Sequence, residues 1–514
     1  MTAPRPALLG LALWLLASGG AAAQPALVPV PASASFSHAE AFVVTTETPI
    51  VTPPGDAEAA RIGGMLDRLI GPAVDGAPAV EGGSEGAIVL DRRPARADLG
   101  AEGYELVVAP DGVTITAATA AGLFYGAQTL RQLLPAHVEF GAALPRPLPV
   151  PVGRVVDRPR FGWRGAMLDV ARHFFPVDDV KRFVDLLALY KLNRLHLHLS
   201  DDQGWRFTVP GRPELTEVGG RTEVGGGPGG FYTAEDYAEI VRYAAERFVT
   251  VVPEIDLPGH TNAALVALPE LTCDGVAPPP YTGIRVGFSA VCVEKDETYA
   301  FLDDVLDALV AATPGPYLHL GGDEVKTLSD AQYAAFMARA QRAVAARGKR
   351  FVGWDDVAEV DLLPNSIVQV WRAQAPAVAA SVAEAVAGGA AVVLSPSDRV
   401  YLDMKPDSAA VLGLTWAGLN GVRDAYDWDP AALLPGVPEA AVLGVEAPLW
   451  SETLATFSDV TLMALPRLAG VAEVAWSPQT VRSWDGYRVR LAAHGPRWTA
   501  LGLTFDRSAE VPWE

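Results

Sequence analysis

Leu192-Asn193-Arg194-Leu195-His196-Leu197-His198-Leu199, followed by Ser200-Asp201-Asp202, is an apolar run that stops in a knot of acids. The same pattern recurs downstream. Short apolar stretches at 165–170, 192–199, 249–255, 316–321, 350–354, 366–371, 391–395 and 442–447 alternate with helical periodicity at 177–190, 233–247, 296–312, 329–347 and 376–387. Eight strands separated by helices from Arg164 onward predict an α/β chain built on a closed (β/α)8 TIM barrel. A doubly wound parallel sheet is the alternative, but it favours an early glycine fingerprint and this region opens without one.

In a barrel the chemistry sits at the C-terminal strand ends. The first expected strand runs into Asp169 and Arg172-His173. The second ends at Asp201-Asp202, the third at Glu254-Ile255-Asp256 and then Pro258-Gly259-His260, and the fourth at Gly321-Gly322-Asp323-Glu324. Trp354, Trp371-Arg372, Tyr401 with Asp403, and Trp450 with Glu452 follow the last four. Acids and an arginine hold hydroxyl groups, while aromatic faces stack on pyranose C–H faces, so this rim suits a sugar. Asp323-Glu324 is the sharpest candidate for catalysis. Two adjacent carboxyls on one strand cannot flank a ring as a standard retaining pair does. They suit a substrate whose own 2-acetamido oxygen attacks C1, one carboxyl protonating the leaving group and its neighbour orienting the acetamide. An Asp-Glu cap at a helix start is the purely structural alternative.

Upstream, residues 36–150 mix short alternating runs with a helix over about Ala118 to Leu134 that Pro135 stops, the pattern of a small α+β domain. Five prolines in 144–160 suggest a linker before a barrel over 160–500 and a short tail to 514. Residues 24–35, rich in Ala, Pro and Val, read as a flexible lead. Arg5, the apolar run Leu8 to Leu16 and Ala21-Ala22-Ala23 read as a cleaved export signal over 1–23. A membrane anchor is the alternative, for which that run is short. A secreted or periplasmic protein with no membrane span after cleavage is expected.

The charge of −21, from 40 basic and 61 acidic residues, opposes a phosphate backbone and disfavours nucleic-acid binding. The only two cysteines, Cys273 and Cys292, suggest one loop-closing disulfide in an exported chain, two free thiols being the other possibility.

At these motifs the chain resembles the family 20 glycoside hydrolases, the β-N-acetylhexosaminidases. The resemblance covers about 36–500. It rests on Asp169 to Phe174, His196 to Trp205, Glu254 to His260, His319 to Glu324, Gly353-Trp354-Asp355 and Trp450-Ser451-Glu452. It implies exo-acting hydrolysis of terminal non-reducing β-linked N-acetylglucosamine or N-acetylgalactosamine, retaining and substrate-assisted through an oxazolinium intermediate. Members of this family are an exception to the two-carboxylate rule of glycosidases, because the substrate supplies the nucleophile. Glu324 would be the general acid and then base, Asp323 the partner of the acetamide, and Tyr401 a donor to its oxygen. Trp354, Trp371 and Trp450 would wall the acetamido pocket, Arg172, Asp403 and Glu452 would hold hydroxyls, and Trp416 would face the leaving sugar. Asp201 and His260 would support Glu324, and Cys273 and Cys292 fall where bacterial members often carry a loop disulfide. No metal or cofactor is implied. Two rivals stand beside this reading. One is a metal-dependent barrel hydrolase using the His196/His198 pair with His260; the other is a sugar-binding protein without catalysis.

Overall fold

The computed structural model describes residues 25–74 and 86–513. The expected export signal at 1–23 lies outside the described residues. The first unit is a six-stranded sheet with strands β1 (Ser33–Val44), β2 (Ile50–Val51), β3 (Ile88–Arg92), β4 (Tyr104–Ala109), β5 (Gly112–Ala117) and β6 (Leu148–Asp157), in the order β1-β6-β4-β5-β3-β2. Helices α1 (Ala57–Val74) and α2 (Ala120–Leu133) bury their apolar sides with Leu106, Ile115 and Val155 in one core. α2 begins where the Thr119 side chain accepts the Gly122 N–H and ends at Leu134, which is extended ahead of Pro135.

Three features of this unit depart from the sequence reading. The proline-rich stretch expected as a linker is largely strand β6. Pro149 and Pro151 fall where β6 has β1 as its neighbour and β4 has ended, so the missing N–H groups cost no ladder bond on that side. The expected flexible lead is instead packed from residue 25. Leu27 and Val28 are buried, the Val28 N–H donates to Gln132, and the Val30 N–H donates to Glu473. Helix α1 was not expected, because Gly63-Gly64 and Gly71-Pro72 weaken helix propensity. Tertiary packing outweighs that cost: a Cβ on Gly63 would stand 3.1 Å from Thr52 and 3.4 Å from Ile50.

The second unit is a closed parallel barrel in sequence order. Its strands are β7 (Trp163–Asp169), β8 (Arg194–His198), β9 (Thr250–Glu254), β10 (Tyr317–His319), β11 (Arg350–Trp354), β12 (Ile367–Val370), β13 (Ala391–Leu394) and β14 (Val442–Leu449), and β14 pairs with β7. Helices α3 (Val177–Leu189), α4 (Ala234–Ala245), α5 (Asp296–Ala312), α6 (Asp330–Ala346) and α7 (Pro376–Ala387) pack outside, followed by α8 (Phe457–Ala464) and α9 (Arg467–Trp476) after β14. Capping boxes at Thr233/Asp236 and Ser329/Gln332 start α4 and α6. All eight strands and five helices of the sequence reading are present, with ends shifted by a few residues.

The barrel interior is layered. Trp163, Val252, Val352, Ile367 and Val393 make an apolar cluster at the N-terminal end. Above it, where branched aliphatics usually continue, lie buried His196, Glu254, His319, Trp354, Gln369 and Glu446. The two units share polar contacts at buried positions. Glu102 accepts Arg164 at 2.8 and 3.0 Å, and Asp157 accepts Lys191 at 3.2 Å and the Trp476 indole at 2.9 Å. Among the described residues no helix is long and apolar enough to cross a membrane.

His494 joins the lead to the barrel, with Nε2 2.8 Å from the Ala26 carbonyl and Nδ1 2.9 Å from Tyr190 Oη. Burial, aided by Arg497, holds its pKa down at about 3. The fold therefore keeps His494 neutral while the unfolded chain protonates it near pH 6.5, so stability falls as pH drops from about 6.5 toward 3, by up to about 1.4 kcal/mol per unit. Denaturation midpoints measured from pH 7 to pH 4 should fall less steeply in His494→Gln than in the parent chain.

Candidate active site

The C-terminal ends of the strands are tied to one another before they present any functional group. Asp169 at the end of β7 accepts the N–H groups of Ala171 and Arg172 on one oxygen and of Ser451, after β14, on the other at 3.0 Å. Asp355 after β11 accepts the N–H groups of Trp371 and Arg372 after β12, at 2.9 and 2.7 Å. Asn420 donates to the carbonyls of Ser397 and Tyr401 and fixes the long segment after β13.

A cavity of about 360 Å³ opens at this rim. Asp323 and Glu324 form one wall, with His260 beside them. Arg172 after β7 and Trp450 and Glu452 after β14, three and four strands away around the ring, form another wall. Trp371, Tyr401 and Trp416 close the side between. The Trp371 and Tyr401 rings are near parallel at 6.5 Å, and Trp416 meets each edge-on at 5.7 Å. Trp416 is 54% exposed, so it stands at the mouth.

The Asp-Glu wall is reached through an unusual backbone. Gly321 and Gly322 have φ of 62° and 90°, and a Cβ on Gly321 would fall 1.8 Å from Asp256 Oδ1, so only glycine passes there. Glu324 at 52° and His260 at 53° also hold left-handed φ without being glycine. Such conformations cost about 1–3 kcal/mol each and concentrate where a side chain must be aimed. Their effect is to bring His260 Nε2 within 3.8 Å of both Asp323 Oδ2 and Glu324 Oε2.

Charge compensation radiates from Asp201. Its Oδ2 takes Arg172 at 2.7 Å and His198 at 2.9 Å, and its Oδ1 takes His260 at 3.2 Å. Burial opposes ionisation, but Arg172 and His260 outweigh it and hold this carboxyl well below the usual range. Five other carboxyls shift the other way. Burial raises Asp323, with Glu254 and Glu324 adding to the rise against His260. Burial and neighbouring Asp323 raise Asp256 and push Asp356 up to about 7. Asp403 is raised by burial and by Glu452, and Glu452 by burial against the pull of Arg172. Both oxygens of Asp403, Oδ1 of Asp323 and Oε2 of Glu452 are buried without a hydrogen-bond partner. Four acceptors held open in this way are prepared for donors from a bound molecule.

Of the residues singled out in the sequence, the cavity brings together Arg172, His260, Asp323, Glu324, Trp371, Tyr401, Trp416, Trp450 and Glu452. Trp354 lies one layer down, 1% exposed, its ring 5.6 Å from that of Trp450 and its indole donating to Glu254. Asp403 is buried outside the cavity lining, and Asp201 joins Arg172 and His260. Cys273 and Cys292 are joined in a disulfide. Inside the loop it closes, Ile284 and Val286 border the cavity. Sequence reasoning missed both, since that Pro/Gly-rich loop has no periodicity. It also gave no role to Asp256, although Asp256 sits in the Glu254-to-His260 motif.

Among the described residues four buried clusters present metal-ligating atoms within 4.8 Å of one another: His196, Glu254 and His319; His198, Asp201 and Asp256; Asp201, Asp202 and His260; and Asp256, His260 and Asp323. In each, carboxylates raise the pKa of one imidazole, while burial lowers that of His319 in the first. Burial disfavours the charge of His196, yet Glu446 and Glu254 hold its pKa at about 9, and Asp201 and Asp256 likewise keep His260 well above its ordinary value. His196 and His198 are buried and lie outside the cavity lining.

Known proteins resemble this chain in sequence and in fold. Residues 161–333 and 326–479 match glycosyl hydrolase family 20, catalytic domain, and residues 24–158 match glycosyl hydrolase family 20, domain 2. The chain is 45% identical over 493 residues to a beta-N-acetylhexosaminidase of Cellulomonas fimi, covering 95% of this chain and 97% of that one. It superimposes with a TM-score of 0.93 on the GH20 beta-N-acetylhexosaminidase from Streptomyces coelicolor A3(2), at 52% identity and over 95% and 99% of the two chains. A mutant Streptomyces plicatus beta-hexosaminidase in complex with product (GlcNAc) gives 0.92 at 52% identity, over 95% and 98%. With the barrel, the domain before it and nearly the full length all matched, the chain belongs to glycosyl hydrolase family 20.

Proposed function

We propose that this chain is an exo-acting β-N-acetylhexosaminidase. It removes terminal non-reducing β-linked N-acetylglucosamine or N-acetylgalactosamine with retention, using the acetamido group of the substrate as nucleophile. The observation that carries this reading is the convergence of Asp323 and Glu324 on one wall, each 3.8 Å from the same His260 nitrogen. The cavity, at about 360 Å³, lies near the small end of ligand pockets and suits one terminal ring rather than a threaded chain. The Streptomyces plicatus relative holds GlcNAc as its product, which supports the same sugar here.

The acetamido oxygen attacks C1 as the glycosidic C1–O bond breaks. Glu324, whose carboxyl is partly open to the cavity, gives its proton to the departing oxygen. The acetamide N–H points at Asp323, and the positive charge that grows on the oxazolinium nitrogen favours the ionised form of that carboxyl against its burial. Tyr401 donates to the acetamide oxygen, and Trp371 and Trp450 confine the group so that attack is effectively intramolecular. Glu324 then takes a proton from water, which adds at C1 and reopens the ring. Arg172, Asp403 and Glu452 hold the hydroxyls, their open acceptors and the guanidinium supplying the donors and acceptors a pyranose needs. Trp354 supports Trp450 from behind, and Trp416 offers its exposed face to the leaving sugar. The disulfide and the signal-like N-terminus support a secreted or periplasmic location.

Three measurements check this assignment. Glu324→Gln should lower turnover of natural disaccharides by about 10²–10⁴-fold and that of aryl glycosides with good leaving groups far less; equal losses would remove Glu324 as the acid. Asp323→Asn should cost about 10²–10³-fold in kcat with substrate binding retained, and full activity would exclude Asp323 from the mechanism. Aryl 2-acetamido glycosides should be cleaved and their 2-hydroxy counterparts left intact; comparable rates on both would end the substrate-assisted reading.

A further inference from the structure

Barrel register places one row of inward-facing groups directly beneath the cavity. Glu254 on β9 is level with His198 on β8 and with His319 on β10. One oxygen of Glu254 accepts the Trp354 indole N–H at 2.9 Å and lies 2.9 Å from His319 Nδ1. The other lies 2.5 Å from His198 Nδ1 and 3.0 Å from His196 Nε2. His196 continues to Glu446 at 2.7 Å, and His198 Nε2 reaches up to Asp201 Oδ2 at 2.9 Å. Acids and imidazoles thus alternate from Glu446 through His196, Glu254 and His198 to Asp201, and all five are buried.

The top of this ladder bears on the reaction. Asp201 is the one carboxylate on which both Arg172 and His260 depend. Its Oδ2 is held jointly by Arg172 at 2.7 Å and His198 at 2.9 Å, which turns Oδ1 toward His260 and the Asp202 N–H. With Arg172 alone on Oδ2, only the Asp202 N–H would keep Oδ1 turned toward His260.

We propose that His198 is a positioning residue for the hydrolysis: clamped between Glu254 and Asp201, it fixes the Asp201 carboxylate so that one oxygen serves Arg172 and the other serves His260. This role, which rests on the hydrolytic reading of the cavity given above, requires His198 to be an imidazolium, because both of its nitrogens face carboxylates at hydrogen-bond distance. The surroundings favour that state. Burial opposes the charge, but Glu254 from β9, Asp201 after β8 and Asp169 from β7 keep its pKa at about 10. The Trp450 ring, edge-on at 4.9 Å, completes the enclosure. The ladder also gives charge changes in it a defined sign at the catalytic wall. Loss of the His198 cation leaves Asp201 less compensated and raises the pKa of the nearby acid. Loss of the Glu254 anion, with His198 still paired to Asp201, lowers it.

The test uses the full-length enzyme. With eight histidines in the chain, 15N chemical shifts of labelled imidazoles should resolve His198 with both nitrogens protonated at pH 7–8. A neutral His198 there overturns the proposal. In His198→Gln the alkaline limb of kcat/KM against pH, read with an aryl 2-acetamido glucoside, should move up by roughly half to one pH unit. In Glu254→Gln it should move down by a similar amount. Activity losses in both variants with the limb unmoved would reduce His198 to packing and overturn the proposal. If either variant fails to fold, the nitrogen shifts of the unaltered enzyme decide. Failure of the unaltered enzyme to cleave the aryl 2-acetamido glucoside would sink the hydrolytic reading instead, and the nitrogen shifts would still report on the clamp.

Discussion

A carboxylate buried at a barrel rim needs cations around it, and Asp201 is where this molecule meets that need. An isolated buried charge is too costly to keep, and a paired one is retained only when its geometry is well satisfied. Arg172 comes from the end of β7, His198 from β8 and His260 from beyond β9, so three consecutive strands are joined at one side chain. The Asp323–Glu324 wall then faces His260, and the other wall is built on Arg172, whose guanidinium also lies 4.8 Å over the Trp450 ring. Both walls share this counter-ion.

The same constraint explains the departure of the barrel interior from an aliphatic filling. A rim rich in buried carboxyls sits over the strand ends, where burial and mutual repulsion oppose their ionisation. Aliphatic layers beneath it would leave Asp201 with fewer donors. The imidazoles of His196 and His198 bring positive charge into the interior, and Glu254 and Glu446 balance that charge below. The apolar cluster around Trp163 begins only once the charges are neutralised.

Much of this was legible in the sequence because parallel barrel strands are buried on both faces and read as apolar runs. The Asp323–Glu324 wall was legible for a related reason: Gly321-Gly322 before it is a backbone signal as well as a chemical one. What was not legible depends on distant residues. The packed lead is held by Gln132 and Glu473, far along the chain, and β6 is recruited by β1 and β4 despite its prolines. Ile284 and Val286 enter the cavity only through the course of a disulfide-closed loop. His196 and His198 looked like a metal-binding pair because the strand shows their common side but not the neighbour they face. The register that sets Glu254 level with His198 supplies that neighbour.

The seam between the sheet unit and the barrel also bears on how the protein can be handled. Ala188 and Trp476 from the barrel helices belong to the core of the sheet unit, and Arg164 and Lys191 of the barrel find their carboxylates there. Removing the front unit would strand two buried cations, at about 3–5 kcal/mol for each broken pair, and bare an apolar patch besides. The sheet unit is thus less a detachable accessory than a keystone, and a minimal barrel cut out at residue 160 would lay this seam open to solvent.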